Sequence, residues 1–335
     1  MNTMNWNPGT LLEMSGYYWR TCTLHTGVKL DIFTAIGPDT LSCADINKKI
    51  KADPRGLALL LNALTAMGLL VKTGETYANS PAALSFLSKD SPQYIGFIIM
   101  HHHHLMDSWQ NMGKAVMEGG PIRERASFSD DEWRESFLMG MFNMGMAVAP
   151  QLSKEMDLSG CRNLLDFGGG PGTFAIHFCL ANPGLTASVY DLGTTRPFAE
   201  KTIDKFKVSD RVEFISGNFI QEEFPFPKAY DAAFLSHILH GEGPEDAANV
   251  IRKAVSALKP GGRIFIHEFI LDNDLAGPLF PALFSINMYL GTDKGQAYSE
   301  AQLSAMLKAS GVTDIRRLAF SSPTRSGVIQ GRVVG

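Results

Sequence analysis

The sequence predicts an α/β protein in which a doubly wound, largely parallel sheet follows a smaller all-α, winged-helix-like domain. Three observations carry this reading. A strand-like run, Leu164-Leu165-Asp166-Phe167, enters the glycine-rich turn Gly168-Gly169-Gly170-Pro171-Gly172, and a helix-patterned run opens at Thr173. From Arg162 onward strand-like and helical runs alternate, which argues for parallel strands with helices on both faces. Before residue 94, helical segments are followed by a short hairpin, the order found in a winged helix.

Length and composition bound the rest. A chain of 335 residues has room for more than one domain. Its 45% hydrophobic and 19% charged residues exclude a disordered chain. A formal net charge of -4, without a long basic run, argues against nucleic acid as a main partner. The four cysteines, Cys22, Cys43, Cys161 and Cys179, lack metal-ligand or disulfide-framework spacing and read as free thiols. No signal peptide opens the chain and no apolar run reaches membrane-spanning length, so a cytoplasmic protein with no membrane partner is expected.

In chain order, residues 11 to 36 read as one helix, followed by a segment at 41–46 and a leucine-rich helix from Pro54 to Met67. Residues 68–72 and 77–79 read as strands around a turn at Gly74-Glu75. The helix from Pro54 offers only Arg55 as a cation, whereas a groove-reading helix needs several phosphate and base contacts. Packing and dimerisation are the expected uses of this domain. Residues 94 to 158 read as a mostly helical connector carrying His101-His102-His103-His104 and a methionine-rich run from Phe137 to Met146. The methionines suit either core packing or an adaptable pocket wall. The histidines point in different directions on a helix, and no metal is expected there without partnering carboxylates or cysteines.

Strands are expected at 162–167, 186–191, 212–217, 230–236 and 263–270, with Pro260-Gly261-Gly262 turning into the fifth. Two late strands, near 314–320 and 327–334, follow a helix at 299–310. The glycine turn lets backbone approach a nucleoside, because glycine lacks the Cβ that would block it. Asp191 ends the second strand about 20 residues further on, where a carboxylate suits the two ribose hydroxyls. Gly217-Asn218-Phe219 closes the third strand with an amide and a ring suited to the edge and face of adenine.

In order, Leu-Asp-Phe-Gly-Gly-Gly-Pro-Gly, Tyr-Asp-Leu, Gly-Asn-Phe, Leu-Ser-His-Ile-Leu-His-Gly-Glu and Leu-Lys-Pro-Gly-Gly-Arg resemble the motifs of class I S-adenosylmethionine-dependent methyltransferases. More narrowly, nearly the whole chain resembles the dimeric small-molecule O-methyltransferases with an N-terminal winged-helix dimerisation domain. The resemblance implies a Rossmann-like, seven-stranded methyltransferase sheet with S-adenosyl-L-methionine as cofactor and S-adenosyl-L-homocysteine as product. It agrees with Thr173 standing where a dinucleotide motif places its last glycine. The implied domains are 1–93 for dimerisation, 94–158 as a connector contributing to the substrate pocket, and 159–335 for cofactor binding and catalysis.

The same resemblance places the cofactor among Gly168, Gly169, Gly170, Gly172, Asp191, Leu192, Asn218, Phe219 and Ser236. It makes His240 the general base, with Glu268 and Glu300 as its orienting carboxylates; Ser299-Glu300 also reads as an ordinary helix start. The chain departs from the family's usual pattern in having Gly241-Glu242-Gly243 where Asp-Trp follows the histidine, Gly193 for a proline, and Asn218 for an aspartate. Acceptor contacts are expected from His101, Phe142, Met146, His237, Phe284, Asn287 and Tyr298. The expected activity is methyl transfer to an oxygen of a small molecule by a homodimer. Methylation of sulfur or carbon without a base is the alternative, and a cofactor-responsive DNA-binding regulator is a further one.

Overall fold

The structure is a computed structural model and describes residues 6–125, 131–320, 322 and 326–334. It divides into two compact units, Met1–Leu105 and Met106–Gly335.

The first unit contains α1 (Pro8–Ser15), α2 (Tyr17–Lys29), α3 (Ile32–Ile36), β1 (Thr40–Ser42), α4 (Cys43–Ile50), α5 (Pro54–Ala66), β2 (Leu70–Thr73), β3 (Thr76–Asn79) and α6 (Pro81–Leu87). The unit boundary falls inside α7 (Gly96–Gln110). The single helix expected over 11–36 is three helices. Gly16 stops the first by folding its N–H onto the Leu12 and Glu13 carbonyls, and Asp31, at φ 58, breaks the second from the third. Asp53 starts α5 by accepting the Gly56 N–H at 2.7 Å. The hairpin β2–β3 gains β1 as a third antiparallel strand, too short at three residues to show a period in sequence. Ile32, Phe33, Ile36, Ile46, Leu61 and Leu64 form the fully buried centre. In contrast, Leu12 and Trp19 on the first two helices are 74% and 68% exposed.

The second unit continues with α8 (Met112–Glu118), α9 (Asp131–Glu155), β4 (Asn163–Phe167), α10 (Thr173–Ala181), β5 (Thr186–Asp191), α11 (Arg196–Lys205), β6 (Val212–Ser216) and β7 (Tyr230–Ser236). Then come α12 (Pro244–Ser256), β8 (Leu258–Phe269), α13 (Leu279–Gly291), α14 (Glu300–Ala309), β9 (Val312–Arg317) and β10 (Ser326–Val333). The seven strands lie in the order β6-β5-β4-β7-β8-β10-β9, parallel from β4 to β8, with β10 antiparallel to both its neighbours. The chain leaves β4 toward β5 and β6, then returns to add β7 and β8 on the other side. The carboxyl end of β4 is therefore the switch point where such sheets bind ligands. Residues alternate between the sheet's two faces: Leu164, Phe234 and Phe265 pack in one cluster, and Leu165, Leu235, Ile264 and Ile266 in the other. Pro260-Gly261-Gly262 is not a turn before the fifth strand. It lies within β8 at a register shift against β7, with Gly261 at φ 75, so the segment bulges without ending the ladder.

Candidate active site

The glycine turn closes over a buried carboxylate. Asp166 is wholly buried, and a Cβ on Gly169 would lie 2.5 Å from its Cγ, so only a hydrogen fits there. Burial pushes the Asp166 carboxyl up to about 7, against one hydrogen bond from the Ala175 N–H at 3.2 Å. Gly170, at φ 55, faces open space and donates its N–H to Asp191 Oδ2 at 2.8 Å. Asp191 Oδ1 accepts from the Leu192 N–H at 2.7 Å and Thr195 Oγ1 at 3.1 Å. Burial raises the Asp191 carboxyl too, and no cation pairs with it among the described residues. Its one remaining lone pair, at the end of β5, suits a ribose hydroxyl.

Phe219 stands at the turn, its ring 5.6 Å from that of Phe167, with its edge 3.3 Å from a Cβ built on Gly168. Asn218 spends its Oδ1 on the Ile220 and Gln221 N–H groups at 3.0 and 3.2 Å, which leaves only its amide donors for a base. Ser236 hydrogen-bonds His267 Nδ1 at 2.9 Å, and His267 Nε2 pairs with Ser326 Oγ at 2.7 Å. This buried chain ties the ends of β7, β8 and β10 together. An open glycine turn, an unpaired carboxylate and an aromatic ring together fit a nucleoside cofactor.

Beside it lies a histidine–carboxylate pair. Glu268, 2% exposed, accepts four N–H groups: Leu239 at 3.0 Å and His240 at 3.3 Å on Oε1, Phe269 at 3.3 Å and the His240 ring Nδ1 at 2.8 Å on Oε2. Burial alone would raise this carboxyl, but His240 and His237 beside it hold it well below the usual range. Glu268 holds the His240 ring by its Nδ1, which turns Nε2 away from the carboxylate. His237 adopts φ 55 and brings its Nδ1 within 3.5 Å of the same oxygen, without the angle of a hydrogen bond. Its ring packs 4.4 Å from His267 and 4.2 Å from Phe269, and burial lowers its basicity. Phe284 meets the His240 ring edge to face at 4.7 Å and, with Phe269 and Phe280, makes an aromatic wall.

The residues after His240 are fixed by groups that sequence patterns did not indicate. Arg125 grips Glu242 Oε1 and the Gly241 carbonyl, both at 2.6 Å. The buried Tyr298 donates its hydroxyl to the Glu242 carbonyl at 2.5 Å, so it holds this loop instead of facing an acceptor. Glu300 does not join the pair. It opens α14 behind a Ser299–Gln302 capping box, 45% exposed, and meets Arg317 at 3.4 Å. Phe142 and Met146, one helical turn apart on α9, face α10 and α11: Met146 Sδ lies 3.3 Å from His177 Nε2, and Phe142 packs 6.3 Å from Phe206. Asn287, one turn beyond Phe284 on α13, accepts from Trp109 Nε1 at 3.3 Å and Arg123 Nη2 at 3.0 Å. His101 belongs to the first unit, its ring 6.1 Å from that of His102.

This sheet order, glycine turn and strand-end carboxylate define an S-adenosylmethionine-dependent methyltransferase. The chain belongs to the O-methyltransferase family: residues 109–313 match its O-methyltransferase domain and residues 12–89 its dimerisation domain. Among curated relatives, it is 30% identical over 330 residues to the 3-hydroxy-5-methyl-1-naphthoate 3-O-methyltransferase of Streptomyces sahachiroi, covering 97% of this chain and 95% of that one. It is 31% identical over 323 residues to the tetracenomycin polyketide synthesis 8-O-methyl transferase TcmO of Streptomyces glaucescens, covering 94% of each. Among solved structures, an O-methyltransferase family protein from Burkholderia thailandensis superimposes with a TM-score of 0.85 at 25% identity, over 98% of this chain and 99% of that one. No helix among the described residues is long and apolar enough to cross a membrane.

Proposed function

We propose that the protein methylates a hydroxyl group on a small aromatic acceptor, with His240 as general base and Glu268 as the group that orients it. The observation that carries this is the 2.8 Å contact between His240 Nδ1 and Glu268 Oε2. It turns the ring so that Nε2, which has no partner among the described residues, accepts the hydroxyl proton. The bound cofactor supplies a methyl group on a sulfonium, already a good leaving group. The chain's own work is then to hold the acceptor oxygen in line and remove its proton as the new bond forms. Asp191 and the Gly168–Gly172 turn would hold the cofactor's nucleoside. Phe269, Phe280 and Phe284 would hold an aromatic acceptor by its faces and edges. That the two bacterial relatives are named for a naphthoate and for tetracenomycin supports an aromatic polyketide-like acceptor.

The matched dimerisation domain and the exposed apolar side chains of α1 and α2 support a homodimer formed through the first unit. The test of function is a turnover screen with methyl-labelled S-adenosylmethionine across phenols, hydroxyaryl acids, thiols, thioethers and amines, repeated with His240→Ala. A phenolic product that disappears in the variant supports this reading. A thioether or amine product that survives it moves the enzyme to a base-free transfer.

A further inference from the structure

We propose that Arg123, with Asn287, forms a receptor for a carboxylate on the acceptor, so that the substrate is a hydroxyaryl acid. This rests on the hydroxyl-methylation reading above and adds the acceptor's charge to it.

Arg123 is a partly buried guanidinium with no acidic partner among the described residues. Its Nη2 donates to the Asn287 carbonyl at 2.8 Å and to the Asn287 Oδ1 at 3.0 Å, while its buried Nε has no acceptor. Among the described residues no carboxylate lies within ion-pairing distance of it, whereas Arg125, two residues on in the same segment, pairs with Glu242; Arg211 and Arg332 of the same unit also lack an acid. A cation withdrawn from water without a counter-ion is unfavourable unless an anion arrives.

The surroundings are built around this group. A Cβ on Gly291 would lie 2.5 Å from the guanidinium carbon, so the glycine lets the guanidinium rest directly on the end of α13 in this pose. The Ile122 and Arg123 N–H groups bond the Leu290 carbonyl at 3.0 and 3.2 Å, and Arg125 anchors the same segment to Gly241 and Glu242. Asn287 Oδ1 is taken by both Arg123 and Trp109, which orients the amide and leaves its Nδ2 hydrogens as the unspent donors. The cluster therefore offers N–H groups and no acceptor to a ligand, the complement of a carboxylate.

Its place in the fold sets the distance. Asn287 follows Phe284 by three residues on α13, and Phe284 touches the His240 ring. The donor cluster thus sits about 5–6 Å further along the helix from the residue that packs on the base. An acceptor whose hydroxyl meets His240 Nε2 and whose carboxylate meets Arg123 spans the aromatic wall between them.

The test uses the full-length protein with S-adenosylmethionine and pairs of hydroxybenzoic and hydroxynaphthoic acids with their primary carboxamides. The expected result is a kcat/KM preference for the acid of roughly a hundredfold, collapsing to near one in Arg123→Met and partly retained in Arg123→Lys. Equal turnover of acid and amide by the wild-type enzyme overturns the proposal, and needs no variant to fold. A loss in Arg123→Met that strikes both members equally also overturns it, because a helix-capping arginine does not discriminate between them. Calorimetric binding of the acids to His240→Ala separates the two readings: tighter binding of acid than amide there supports the receptor even if His240 proves not to be the base.

Discussion

Asp191 Oδ2 accepts the Gly170 N–H at 2.8 Å, and this one bond joins the end of β5 to the turn that follows β4. The carboxylate thereby holds the turn while keeping one lone pair for a ligand. Replacing it with alanine is expected to weaken cofactor binding by roughly ten- to a hundredfold, the scale of one or two charge-assisted hydrogen bonds. Calorimetric titration with S-adenosylhomocysteine measures this, and an unchanged Kd would remove Asp191 from the cofactor site.

Asp166 sets a pH dependence of stability. Its folded pKa, near 7, lies above the unfolded value of 3.8, so the folded state keeps a proton that the unfolded chain releases. The stability from this group is complete below the unfolded pKa and is lost as pH rises through about 7. Asp166→Asn carries no such term and should gain on the wild type by about 3 kcal/mol, in order of magnitude, between pH 5 and pH 8. Denaturant melts at both values check it, and a constant difference would contradict the assignment.

Tyr298 is expected to act on the loop after His240 and not on chemistry directly. Tyr298→Phe removes a buried hydrogen bond to the Glu242 carbonyl and should cost about 1–2 kcal/mol of stability. A melting curve reports the first effect, and kcat should fall because Glu242 neighbours the loop that carries His240. Unchanged stability would mean that the hydroxyl has other work.

The exposed side chains of the first two helices predict self-association. Leu12→Asp combined with Trp19→Asp should convert a dimer to a monomer at micromolar concentration, read by light scattering after size exclusion. A monomeric wild type would refute the dimer outright.

Much of the sheet was legible in the sequence because glycine turns and apolar strands leave local signals. Asp191 and the glycine turn could be placed from spacing alone, and the ordered motifs pointed to His240 and Glu268 together. What local pattern could not supply was which side chains meet across the fold. Phe142 and Met146 looked like pocket lining because they are apolar and flexible, yet Gly145 between them brings α9 against Thr173 and turns that face to the sheet's helices. Glu300 has the right charge in the right motif, but its helix cap points it toward Arg317. Arg123 and Arg125 left no signal, since they lie in a loop of no periodicity and find their partners more than 100 residues away.

The most direct test of the central claim is the kcat/KM of His240→Ala over phenols of graded acidity, relative to wild type. If His240 removes the hydroxyl proton, the loss is roughly 10²–10⁴-fold for weakly acidic phenols and shrinks steadily for those already ionised at the assay pH. A loss of the same size for every phenol, or none at all, would contradict it and leave His240 as a residue that only shapes the site.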